Sequence, residues 1–448
     1  MRRSGVLLVL LALLVLAAIA PAAAHHKPGH HRRKPTTTMT VSTTTTTAPT
    51  TTTTTPATTT TIPTPTTTTT APTTTTTTPP TQPGAGDVKF FTPKSGLDPW
   101  TSNPTDAQKQ FMRDHYHRML VDSPYFDSRL TWYDRAVEYT DAYAIKPAWP
   151  QYAQHPEWIL TDFDTGRQVF IDWGCSGGTC PQYAADISNP AYRQWFLHRI
   201  QEKINLGYQG VAIDDVNLAF RFSNGTTSTS RIRDPNTNRL LTLTDWRRYF
   251  ADFMELVRAT FPDLEIVHNT IWYADQTAFD DPFVSREIAA ADWVMIEHGG
   301  NDDGLDAGGT YGYRTLLAFM DRVHAQGTNV IVNDDVGSTM TQAEHNLATY
   351  LLVTEGNDMV GSEMLGIVNP DNFWAGFQLD LGDALGARYD WGGFIRRDFD
   401  GGIVVTREPD IGKATFTVPA GYTRIDGTPA PATITLAPQT SVVLLAAG

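Results

Sequence analysis

Two short stretches end an apolar run in carboxylates. "GVAIDDVN" ends its run in Asp214 and Asp215, and "WVMIEH" ends in Glu297. Adjacent like charges repel, and a buried strand end is a costly place for them. Strand alternation separates the pair. Gly210, Ala212 and Asp214 share one face, and Val211, Ile213 and Asp215 share the other. The small residues suit a crowded interior, so Asp214 is expected to face inward and Asp215 outward as support. By the same count Trp293, Met295 and Glu297 share a face. Two carboxyl groups facing one cavity can break an acetal. One protonates the departing oxygen while the other attacks the carbon or activates water. Asp214, Glu297 and, beside them, Asp215 are therefore the catalytic candidates.

Such residues need a frame. The middle of the chain alternates short apolar runs with helical stretches. The runs are "RMLVD", "DAYAIKP", "YAADI", "GVAIDD", "EIVHN", "WVMIEH", "NVIVNDD" and "DMVGSE". The helical stretches include "NPAYRQWFLHRIQEKINLG" and "DWRRYFADFMELVRATFP". Asn189-Pro190 supplies a cap and a first-turn proline, and Gly207, Gly327 and Gly356 sit where helices should stop. Strands alternating with helices imply a parallel sheet, and eight of them imply a (β/α)8 TIM barrel. An open doubly wound sheet is the competing architecture, but no GxGxxG follows a first strand. After Gly392 the pattern changes to β-rich runs broken by Gly, Pro and Asp, which reads as a small all-β sandwich.

A barrel of this kind carries its site at the C-terminal ends of its strands. The run ends supply Asp122, Lys146 with Trp149, Asp186, Asp214 with Asp215, His268 with Asn269, Glu297 with His298, Asn333 with Asp334 and Asp335, and Glu363. Lys146, Asp186, His268, Asn269, Asn333, Asp334 and Glu363 are the polar substrate-binding candidates. Trp149, Trp173, Trp272, Tyr273 and Trp374 are candidate sugar platforms, because flat aromatic faces stack on pyranose rings. Core packing is the competing role for each Trp.

Of the 448 residues, the first part is not expected to fold. Residues 1–24 place Arg2 and Arg3 before an apolar run that ends in small residues, the layout of a secretory signal peptide. Residues 25–86 form a His/Thr/Pro-rich linker with too little apolar surface to offset ordering entropy. Its His25, His26, His30 and His31 read as a solvated basic patch more readily than a metal site. The barrel is expected over 87–391 and the β-sandwich over 392–448. A net charge of -14 argues against a nucleic-acid surface. No second apolar run is long enough to span a membrane. Cys175 and Cys180 flank a Gly-rich loop, and in an exported chain they suggest a local disulfide.

"HPEWILTDFDTGRQV", "ADISNPAYRQWFLHRI" and "GYQGVAIDDVN", with the tail "FIRRDFDGGIVVTRE" through "TITLAPQTSVVLL", together carry a resemblance. The chain resembles the glycoside-hydrolase-like families of secreted (β/α)8 proteins that bear a C-terminal β-domain. The resemblance implies Asp214 as nucleophile and Glu297 as acid/base. It departs from a plain "GFDG" lead-in, having Gly207-Tyr208-Gln209-Gly210. The expected protein is a secreted, monomeric glycoside hydrolase acting on an extracellular or cell-wall polysaccharide, with no cofactor and no metal. Two other classes stay open: a non-catalytic glycan-binding protein, and a divalent-metal enzyme using Asp214, Asp215, Asp334 and Asp335. Adjacent residues on a strand point opposite ways, which weakens the metal reading.

Overall fold

The computed structural model describes residues 84–92, 96–217, 219–270 and 281–446. The signal-peptide and linker expectations, and Trp272 and Tyr273, lie outside the described residues. Eight parallel strands close into a barrel. They are β1 (Phe90–Thr92), β2 (Tyr116–Val121), β3 (Ala136–Asp141) and β4 (Gly210–Asp214). Then come β5 (Glu265–Thr270), β6 (Trp293–Ile296), β7 (Asn329–Asp334) and β8 (Met359–Ser362). β8 pairs back onto β1. Among the described residues no helix is long and apolar enough to cross a membrane.

Two of the strand expectations are corrected. "DAYAIKP" and "YAADI" are not barrel strands. They supply the antiparallel pair Ala144–Ile145 and Tyr183–Ala184 in a separate five-stranded sheet. That sheet is built from the β3–β4 connection and the segment after β4. The barrel instead uses Phe90–Thr92 and Ala136–Asp141. β1 is only three residues long. β3 carries a charge, Glu138, which faces outward to Lys203 of helix Pro190–Leu206 at 3.7 Å. A charge inside the run hides a strand whose two faces both meet protein.

The two faces of each strand have separate packing. Phe91, Leu120, Val137, Ala212, Val267, Trp293, Met295, Ile331 and Met359 fill the barrel interior. Val211, Ile213, Ile266, Val294, Val330 and Val332 belong to the outer layer, which packs with the helices. Ala212 and Gly210 are small because the interior is tight there. A Cβ on Gly210 would lie 2.5 Å from the Glu265 carbonyl oxygen. Near the start of the strands Arg118 donates to Glu265 at 2.6 Å and lies over the Trp293 ring.

The C-terminal strands form two antiparallel sheets. One has the order Tyr389–Trp391, Phe394–Phe399, Gly402–Arg407, Thr440–Ala446, Tyr422–Arg424, and the other pairs Ala414–Thr417 with Thr433–Leu436. Phe394, Val405, Phe416, Ile434 and Val442 fill the space between them. Helix Met340–Val353 joins the sheets to the barrel. From Ala343 on it is buried nearly all round, His345, Asn346 and Thr349 included, as befits a helix covered on both sides. His345 Nδ1 meets Ser441 Oγ at 2.7 Å, and Val443 N–H donates to Glu344 at 3.0 Å.

Candidate active site

Asp214 ends β4 on the face of Ala212, inside the barrel mouth. Both of its oxygens are held. The Tyr139 hydroxyl donates to Oδ2 at 2.5 Å. The Asn269 amide and the Asp215 backbone N–H donate to Oδ1 at 2.7 and 2.8 Å. Tyr139 shares the inward face of Val137 on β3, and Asn269 that of Val267 on β5. Neighbouring strands thus clamp the carboxylate in one orientation.

The same Asn269 nitrogen also donates to Glu297 Oε1, at 3.2 Å. One amide therefore bridges the two carboxylates. With one hydrogen of the planar amide directed at each, the two oxygens are about 5 Å apart. The Asn269 Oδ1 atom is buried and has no hydrogen-bond partner among the described residues. Asn333, on the inward face of β7, has an Oδ1 in the same state. Gly361 makes room for it, since a Cβ there would come within 2.3 Å of that oxygen. Buried acceptors left open in this way suit a ligand rich in hydroxyl donors.

A third carboxylate, Asp141, stands level with Asp214 on β3. Its Oδ1 accepts from the backbone N–H groups of Tyr143 and Ala144 at 3.0 and 2.8 Å. Burial pushes its carboxyl well above the usual range, and the charges of Asp215 and Asp214 add to this. Tyr139 is raised too, by burial first and then by Asp214, so it stays a hydrogen-bond donor. Neither residue was found from the sequence, because β3 was placed one segment too late. The signal available was the alternation Val137, Tyr139, Asp141, which ends on the first residue of "DAYAIKP".

Asp215 departs from simple alternation. Its φ of 57° is left-handed, which turns the chain off the strand line. Its Oδ1 accepts from Asn217 at 2.9 Å and from Arg221 at 3.3 Å. It belongs beside the other carboxylates and not behind the barrel wall. Burial, and then the Asp214 charge, push its carboxyl up to about 6. The folded chain thus keeps a proton that the unfolded chain has lost. Stability contributed by this group falls as pH rises from about 4 through about 6. Asp215→Asn is expected to raise the thermal midpoint at about pH 7.5 and to change it little at about pH 4. Equal shifts at the two pH values would contradict this account.

Other sequence candidates land elsewhere. His268 lies on the outer face of β5, buried against Glu287 with Nδ1 2.8 Å from Oε1, so it is a packing residue. Asp334 faces away from the mouth as well. It accepts from the Gly337 N–H at 2.7 Å and from Asn301 at 2.9 Å, which ties down the loop after β7. The proposed set Asp214, Asp215, Asp334 and Asp335 therefore does not converge on one ion. Donor atoms of Glu297, His298 and Asp335 do lie within 4.8 Å of one another, the described group best able to hold a metal. There the His298 Nδ1 already hydrogen-bonds the Asp335 carboxylate.

Asp186 caps a turn, accepting from Ser188 N–H at 2.9 Å and its hydroxyl at 2.6 Å. Lys146 is exposed beside Trp149. Trp149 packs on Trp195 and Arg199 of the outer helix, at 6.0 and 5.1 Å. These three were assigned to barrel strand ends that the fold does not use. Trp374 is half-buried against Phe377. Glu363 follows β8, its N–H donating to the Asp334 carbonyl at 2.9 Å. Trp173 stays 40% exposed, two residues ahead of the loop that the Cys175–Cys180 disulfide closes. Its neighbour Asp172 donates through N–H to the Arg221 carbonyl at 3.0 Å, so this loop is linked to the segment that reaches Asp215.

A closed (β/α)8 barrel with paired carboxylates on β4 and just past β6 defines a glycosidase-type protein. The sequence agrees: residues 124–403 match the model of hypothetical glycosyl hydrolase family 15. The chain belongs to this family and is a glycoside hydrolase. No curated protein matches it. Among solved structures it is similar to the glycoside hydrolase domain of PelA from Pseudomonas aeruginosa. Identity is 13%, coverage 64% of this chain and 98% of that one, and the TM-score 0.39. It is also similar to an alpha-galactosidase from Geobacillus stearothermophilus, at 11% identity, 80% and 56% coverage, and TM-score 0.45. A dextranase from Flavobacterium johnsoniae gives 11% identity, 82% and 52% coverage, and TM-score 0.41.

Proposed function

We propose that the chain is a secreted, retaining glycoside hydrolase that cuts an extracellular or cell-wall polysaccharide. The observation that carries this is the Asn269 bridge between Asp214 and Glu297. A separation of about 5 Å leaves no room for a water between carboxylate and sugar, and it suits direct attack. Asp214 attacks the anomeric carbon while Glu297 protonates the departing oxygen. Glu297 then takes a proton from water, which displaces Asp214 and regenerates both groups. Tyr139 and Asn269 stabilise the carboxylate as it leaves. The N-terminal Arg pair and apolar run, with the Cys175–Cys180 disulfide, support export.

A glycan panel incubated with the purified chain tests the proposal, read by reducing-end release and by NMR of the first-formed anomer. Release with retained configuration is expected. An inverted product would reject direct attack, and no release from any glycan would reject the activity. Tyr139→Phe removes one hydrogen bond to a charged group, on the order of 1.5–3 kcal/mol. We expect kcat to fall about 10- to 100-fold with a smaller change in KM. A kcat within twofold of the parent would show that this hydroxyl is not used.

A further inference from the structure

The mechanism leaves one buried acid without a role. Asp141 is level with Asp214 across one strand spacing, about 4.8 Å, and Asp215 follows Asp214 in the chain. Among the described residues the cation bonded to these three carboxyls is Arg221, on Asp215 at 3.3 Å. Three neighbouring carboxylates beside one guanidinium do not all stay charged, so the cluster keeps a proton that a lone carboxyl would lose. The geometry ranks the three as holders of that proton. Asp214 accepts from Tyr139, Asn269 and the Asp215 N–H, and each of these bonds favours its charged form. Asp215 has Arg221 beside it and reaches about 6. Asp141 is buried, and no described cation pairs with it. Burial first, then the charges of Asp215 and Asp214, push its carboxyl well up, and the Tyr143 and Ala144 N–H bonds oppose this. Both of those bonds fall on Oδ1, which leaves Oδ2 to carry the proton.

We propose that Asp141 is a positioning residue that works as a neutral carboxylic acid: it keeps the proton of the cluster, so that Asp214 is left as the anion that attacks. The proposal rests on the glycosidase reading above. A proton on Asp214 would remove the nucleophile, whereas a proton on Asp141 relieves the repulsion without touching the sugar. It stays on Asp141 throughout, because the proton given to the departing oxygen is that of Glu297. The ionisable groups that face Asp141 are consistent with this. They are Asp214 and Asp215 of β4, Tyr139 on its own strand, Tyr143 just past it, and Tyr192 of helix Pro190–Leu206. The three tyrosines are raised by burial first and stay neutral, so none supplies a charge that would draw the proton off. Arg221 and Glu297 act on Asp215, one group further away.

The test uses the full chain, labelled at its aspartate carboxyl carbons, and the variant Asp141→Asn. In the variant the amide oxygen accepts the same two backbone N–H groups and the NH2 replaces the Oδ2 proton, so the neutral acid is reproduced. NMR at about pH 7.5, where an ordinary aspartate is fully ionised, is expected to show a protonated carboxyl in the parent that is missing from the variant. On the glycan that the panel above shows to be cleaved, kcat of Asp141→Asn is expected to stay within about threefold of the parent. The acid limb of its kcat/KM profile is expected to stay in place. A charged Asp141 would hold that limb up, and its removal would then move the limb down by about one pH unit. No protonated aspartate in the parent at that pH, a limb that moves by about a unit, or a loss of kcat on the scale of Asp214→Asn would overturn the proposal. The NMR signal needs no turnover, so it separates failure of this proposal from failure of the glycosidase reading. It is read on the parent as well, so it decides even if Asp141→Asn does not fold.

Discussion

Asp214→Asn is expected to lower kcat by on the order of 10⁴-fold or more, the scale on which loss of a covalent nucleophile acts. The change keeps the size of the side chain, so the barrel should stay intact. Stability should rise near neutral pH. Asp214 is one of the charges that push the carboxyls of Asp141 and Asp215 up, after burial itself. Removing it relieves three carboxylates packed at the ends of two adjacent strands. Loss of activity with a raised thermal midpoint would mark a site that holds strain for chemistry. Reducing-end assays and thermal melts measure the two effects. Activity near that of the parent would remove Asp214 from the nucleophile role. In Asp214→Gly, azide is expected to restore cleavage of an activated aryl glycoside with inverted configuration, since a small anion fills the vacated position and attacks from the same side.

Glu297→Gln should fail differently. A positioned general acid contributes about 10²–10⁴-fold, and most for a poor leaving group. Natural glycans should therefore lose about that factor. Aryl glycosides with acidic phenol leaving groups need little protonation, so their first step should persist and the glycosyl-enzyme should accumulate. The measurement is kcat against leaving-group pKa in parent and variant, together with mass spectrometry of the intact protein. An equal loss across all leaving groups would show that Glu297 positions substrate and does not donate a proton. Asn269 would retain its bond to Asp214 in this variant, so the nucleophile should stay in place.

Much of the frame was legible in the sequence. The runs that became β4 to β8 are apolar, bounded by turn residues and spaced by helical stretches. Their ends named Asp214, Asn269, Glu297 and Asn333, which the fold gathers on inward faces. The failures share a physical cause. Parallel strands in a barrel are buried on both sides, so composition does not reveal which side is inward. His268 and Asn269 are adjacent and polar, and either could have faced the mouth. Pairing decided between them: Val267 aligns with Ala212, which places Asn269 inward and His268 against Glu287. Asp334 was misplaced for the same reason, since Ile331 aligns with Met295 and fixes the parity of β7.

By itself the sequence determined the element types, the alternation that puts Asp214 on the face of Ala212, and the cysteine pair in its short loop. These depend on residues near one another in the chain, where a two-residue period or a five-residue separation decides the outcome. Only the tertiary structure decided that "AVEYTD" and not "DAYAIKP" lies between β2 and β4. That choice brings Tyr139 to Asp214 and Asp141 beside it, across about seventy residues of chain. Only barrel closure lets one Asn269 amide reach both Asp214 and Glu297, because the positions of three strands are set by their neighbours and not by their own residues.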